Sequence, residues 1–134
     1  MWEEDGSAGC CSFVDHRGPS REETLETYYC PHDLERFPEV GENRPELWAK
    51  FMDYYNAVFA DGALTEREKS LIALAVAHTV QCPYCIDVYT KASLEKGSDL
   101  DQMTEAVHVS NAIRGGASLA HGVQMRTVAK KLGM

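Results

Sequence analysis

Two cysteines separated by two residues, Cys82-Pro83-Tyr84-Cys85, follow a fully apolar run and precede a helical pattern. Side chains three apart on a helix share a face, with Cβ atoms about 5–6 Å apart, near the separation a disulfide requires. Pro83 suits a first helical position, which places both sulfurs at a helix start. There the free backbone N–H groups and the helix dipole favour thiolate over thiol by about 1 kcal/mol. The chemistry this pattern supports is reversible oxidation of a dithiol. A pair of buried small hydrophobes is the bland alternative. A zinc site is disfavoured, because a tetrahedral centre needs four ligands and no second Cys-x-x-Cys exists.

Other residues are candidates to serve these thiols. Tyr89 is four residues beyond Cys85, on the same helical face, and is placed to donate a hydrogen bond to it. His78 precedes Cys82 by about a turn and is within potential reach of the pair. Glu68 is better explained by a capping box with Thr65 than by chemistry. Glu105, His108 and Asn111 recur at helical spacing as a solvated or subunit-facing stripe, and His121 reads as a surface histidine. Cys10, Cys11 and Cys30 are either incidental or a soft three-thiolate site for thiophilic ions such as trivalent arsenic.

The elements that must position these groups are helical. No internal repeat and no alternating strand pattern occurs. Asp33 to Phe37 suits a short helical turn. Pro45 opens a helix carrying Leu47, Phe51, Tyr54, Tyr55 and Val58, which Asp61-Gly62 ends. Thr65 and Glu68 start the next, whose run Leu71 to Ala77 is apolar all round and belongs at the centre of the fold. Val80-Gln81 breaks it, and a helix from Cys82-Pro83 runs to Lys96-Gly97. Ser98 or Asp99 caps a fifth helix with a core stripe of Leu100, Met103, Val107 and Ile113. Gly115-Gly116 is expected to interrupt it, leaving a last helix from about Ala117 to Leu132. The sum is an all-α bundle of about six helices with antiparallel neighbours.

At 134 residues, 44% hydrophobic and 25% charged, the chain suits one globular domain. Residues 1–24 mix glycine, serine and charge and are expected to form a flexible acidic extension before a single domain over 25–134. The formal charge of −8 argues against nucleic acid or an anionic membrane as partner. Residues 1–46 hold twelve of the twenty-one acidic residues, so the excess sits early. The start has no basic and apolar export pattern, and five cysteines then suggest a reducing cytoplasm.

The segments "LTEREKSLIALAVAHTVQCPYCIDVYTKA" and "EAVHVSNAIRGGASLAHG" resemble the carboxymuconolactone decarboxylase-like superfamily, in its alkyl hydroperoxidase D-like branch. With "TYYCPHDLERFPEVG" they resemble its arsenosugar biosynthesis-associated peroxidase-like subgroup. The resemblance covers about residues 27–125. It implies an all-helical fold forming homo-oligomers, often trimers or hexamers, with the Cys-x-x-Cys near a subunit contact. It implies a thiol-dependent peroxidase in which Cys85 attacks the peroxide and Cys82 resolves it, without metal or organic cofactor. A thioredoxin-like protein or small dithiol would be the reductant. The helix-start argument alone leaves Cys82 open as the nucleophile. Where the active branch has a glutamate and a histidine as proton relay, this chain has Ser70 and Tyr89. The rival readings are thiol–disulfide exchange without peroxide turnover and a thiol sensor or arsenic-binding protein. Decarboxylation ranks last, because no substrate-polarising basic cluster is seen.

Overall fold

The computed structural model describes residues 29–134, and among these every regular element is helical. Two short 3₁₀ turns, Pro31–Leu34 and Phe37–Gly41, lead into α1 (Pro45–Phe59), α2 (Glu66–Val80), α3 (Pro83–Glu95) and α4 (Leu100–Lys131). The expected all-α class holds, with four α-helices in place of about six. The anticipated extension over residues 1–24, with Cys10 and Cys11, lies outside the described residues.

The local signals place three of the helix starts. Thr65 Oγ1 accepts the Glu68 N–H at 3.2 Å, and Glu68 Oε2 accepts the Thr65 N–H at 2.7 Å, which closes the capping box of α2. These bonds hold the Glu68 carboxyl below its usual range. Of the two cap candidates for α4, Asp99 is the cap: its Oδ1 accepts the Gln102 N–H at 2.8 Å, and Gln102 bonds back to the Asp99 N–H at 3.0 Å. Pro45 opens α1 as expected.

α2 is the central helix, packed along α3 and α4 and touched by α1. It buries Ser70, Leu74 and Ala77 on the inner side. Thr79 ties it to Ser110 of α4 by a 2.7 Å hydroxyl contact, and Glu66 meets Lys96 at the end of α3 across 2.5 Å. Ile72, Val76 and Val80 are nevertheless exposed, so the expectation of a helix buried all round holds for one side only.

Two expectations about the last third of the chain are corrected. Gly115 and Gly116 do not interrupt: α4 runs unbroken for 32 residues, about 48 Å. Each glycine costs roughly 1 kcal/mol in a helix interior, but no proline follows, and Ser118 donates back to the Arg114 carbonyl at 3.2 Å instead of capping a new helix. The proposed core stripe is also only half right. Met103 is buried and Val107 half-buried, whereas Leu100 and Ile113 are 72% and 68% exposed. From residue 111 onward almost every side chain of α4 is exposed, because α2 and α3 do not extend alongside it.

Candidate dithiol site

One residue turns the chain from α2 into α3. Gln81 sits in the left-handed region (φ 57°, ψ 44°) and its N–H closes the end of α2 on the carbonyls of Ala77 and His78. Cys82 is therefore the N-cap of α3, and its sulfur takes the place a serine oxygen usually fills: Sγ accepts the Cys85 N–H at 3.3 Å. Cys85 stands three residues on, with its sulfur 2.7 Å from that of Cys82 and a hydrogen bond between them. Both are free thiols, half-buried. Burial first, then the hydrogen bond and charge of Cys82, push the Cys85 thiol up to about 11. At Cys85 the gain of thiolate expected from a helix start is therefore outweighed by burial.

Two apolar cavities meet at Cys85. The larger, about 800 Å³, runs from the second 3₁₀ turn to both cysteines over Phe37, Phe51, Met52 and Val88. The smaller, about 460 Å³, lies under Val58, Phe59, Ile72 and Val76 and reaches Cys85 alone of the pair. Tyr55 and Tyr89 line both cavities. Their hydroxyls are hydrogen-bonded to each other. Burial, followed by the Tyr55 bond, holds the Tyr89 proton well above the usual phenol range. The pair is fixed by rings: Tyr89 stacks on Phe59 (5.3 Å, 21°), and Phe59 packs on Tyr55 (4.9 Å) in a file that continues through Phe51, Trp48 and Phe37.

A strap closes the outer side of the cysteine turn. Tyr84, between the two thiols, donates to Asp33 Oδ2 at 2.8 Å and receives the ring of Tyr29 edge-on (5.0 Å, 80°). Tyr29 in turn donates to Asp87, and Cys30 is buried in the same strap. Tyr29 and Cys30 thereby dock against the first turn of α3. On the cavity rim, Arg36 holds Glu39 in a two-point pair (3.1 and 2.8 Å).

Of the four residues expected at the site, Cys82, Cys85 and Tyr89 line the same cavity, but the Tyr89 hydroxyl is bonded to Tyr55 and not, as expected, to Cys85. His78 is placed at the end of α2 with Nδ1 bonded to the Leu74 carbonyl at 2.8 Å, and it does not line either cavity. Ser70, at the relay glutamate's position, is 1% exposed and donates to the Arg67 carbonyl at 2.7 Å, which leaves it no acid–base task. Sequence reasoning missed Tyr55. Its place on the apolar stripe of α1 reads as packing, and no spacing rule connects residue 55 with residue 89.

Residues 45–125 match the Carboxymuconolactone decarboxylase family. An uncharacterised protein in the cox locus of Paracoccus denitrificans is 46% identical over 71 residues, which are 53% of this chain and 64% of that protein. The chain thus spans just under two-thirds of that relative's length. An uncharacterised protein of Cupriavidus necator is 27% identical over 81 residues, 60% of this chain and 72% of its own. Among solved structures, a protein from Methanobacterium thermoautotrophicum superposes with a TM-score of 0.60 at 33% identity, covering 63% of this chain and 97% of that one. A carboxymuconolactone decarboxylase family protein from Legionella pneumophila gives a TM-score of 0.57 at 27% identity, covering 68% and 81%. These matches reach the family and its fold; they do not reach the narrower arsenosugar-associated subgroup.

Proposed function

Because the chain belongs to the carboxymuconolactone decarboxylase family, whose members include alkyl hydroperoxidase D-like proteins, we propose that it is a dithiol-dependent peroxidase. The observation that carries this reading is the pair of free sulfurs 2.7 Å apart at the head of a large apolar cavity.

In this reading Cys85 attacks and Cys82 resolves. Cys85 releases its proton to solvent, and Cys82 Sγ donates its hydrogen bond to the sulfur left behind. The Cys85 thiolate then attacks the terminal oxygen of a hydroperoxide, the O–O bond breaks, and Cys85 becomes a sulfenic acid while the expelled alkoxide takes up one proton, balancing the one Cys85 released, and leaves as an alcohol. Cys82 attacks that sulfur and the hydroxyl departs as water, its second proton coming from the Cys82 thiol. The balance is dithiol plus ROOH giving disulfide, ROH and water. A thioredoxin-like protein or small dithiol, present in the cytoplasm, restores the dithiol by exchange. No bound cofactor is required by this sequence of steps. The working unit is a homo-oligomer, a trimer or a hexamer.

Stopped-flow mixing of the reduced protein with hydroperoxide tests the proposal. It should consume one equivalent of peroxide and two thiols, and Cys85→Ser should abolish the reaction. A second reading, thiol–disulfide exchange without peroxide turnover, is favoured by one observation: Cys85 holds its proton up to about 11. Peroxide inertness combined with ready reduction of a Cys82–Cys85 disulfide would select it.

A further inference from the structure

Resting on the peroxidase reading, we propose that Tyr89 and Tyr55 form a phenol dyad that hands a proton to the oxygen expelled when Cys85 opens the peroxide. Tyr89 is the donor facing the reacting atoms, and Tyr55 is the positioning residue behind it.

The expelled group needs a proton. Breaking the O–O bond of an alkyl hydroperoxide sends the electron pair to the distal oxygen, which departs as an alkoxide, a far stronger base than a phenolate. An apolar cavity offers that charge little solvation, so a proton donor beside the sulfur is worth much of the barrier. The groups usual for this task are out of place: His78 is turned to the Leu74 carbonyl and Ser70 to the Arg67 carbonyl. Two carboxylates reach the larger cavity, and both are engaged, Asp33 by Tyr84 and Glu39 by Arg36. The hydroxyls on the wall that Cys85 shares with both cavities are those of Tyr55 and Tyr89.

The dyad's geometry suits donation. Tyr89 follows Cys85 by one helical turn, so it stands on the same face of α3. Its ring is clamped on Phe59, and Tyr55 reaches over from α1 to hydrogen-bond its hydroxyl. A phenol whose proton is held tightly by burial remains a donor at neutral pH and never competes as a base. In the step itself, the sulfur is oxidised from thiolate to sulfenic acid, the terminal OH stays on sulfur, and the alkoxide takes the Tyr89 proton to leave as alcohol. Tyr89 regains a proton from Tyr55, and Tyr55 from water entering a cavity.

Single-turnover oxidation of the reduced full-length chain by two oxidants tests this. Tert-butyl hydroperoxide expels a strong base; peracetic acid expels acetate, which leaves without a proton. Tyr89→Phe should slow the first reaction about 100-fold and the second only a few-fold. Tyr55→Phe should shift the ratio of the two rates the same way by less, and the double variant should be no slower than Tyr89→Phe. Equal losses with both oxidants, or no loss with either, would overturn the dyad and leave the peroxidase standing. No oxidation of the unaltered protein by either compound would overturn both. Should Tyr89→Phe fail to fold, a series of hydroperoxides with leaving groups of graded basicity decides on the unaltered protein. A rate nearly independent of that basicity supports the donor, and a steep dependence removes it.

Discussion

Cys82 performs two functions with one atom. Its sulfur caps α3 through the Cys85 N–H and faces Cys85 across 2.7 Å. Substitutions separate the two. Cys82→Ser keeps an oxygen cap, whereas Cys82→Ala removes the cap and should be about 1 kcal/mol less stable than the serine variant in denaturant unfolding. Both replacements remove the thiolate charge that helps hold the Cys85 proton. Alkylation of Cys85 in Cys82→Ser should therefore reach half-maximal rate below the value of about 11 it has beside Cys82, while staying above 9.0 because burial persists. The same proton bears on folding. A thiol whose proton is held more tightly in the fold contributes stability that is full below 9.0 and lost as pH rises toward about 11. The thiols themselves were legible in the sequence because spacing, Pro83 and a helix start are local facts. Tyr55 was not, since its role depends on α1 crossing α3, which no local pattern encodes.

At the level of elements, two glycine sites should respond in opposite directions to added side chains. Gly115 and Gly116 lie inside α4, where a methyl group on either would meet nothing within 4 Å, so replacing both by alanine should raise stability by about 1 kcal/mol each. Gly41 ends the second 3₁₀ turn against Trp48, where a Cβ would overlap the indole and lie 2.8 Å from Trp48 Cβ. Gly41→Ala should lower the melting temperature and loosen the Phe37 edge-on contact that shapes the larger cavity. Thermal unfolding followed by circular dichroism reads both. The same contrast explains which boundaries could be read in advance. Thr65, Asp99 and Pro45 act through bonds or torsions within a few residues, so they were visible. The Gly-Gly pair weakens a helix without stopping it, and its outcome depends on Ser118 bonding back to Arg114 rather than capping a new helix.

For the molecule as a whole, the imbalance between apolar surface and available packing is the main feature. Ile72, Val76 and Val80 on α2, with Val123 and Val128 on α4 and Leu132 just beyond it, are all about half or more exposed, and surfaces of this kind mark contact sites. No described helix is long and apolar enough to cross a membrane. Sedimentation should therefore find species heavier than a single 134-residue chain, and Ile72→Glu with Val76→Glu should shift the distribution toward that size. At Gln81, finally, a lone left-handed residue joins the innermost helix to the sulfur pair. A hinge that short stores no slack. Melting of that corner and separation of the two thiols become one cooperative event, so chemical competence should vanish at the same denaturant concentration as helicity rather than before it.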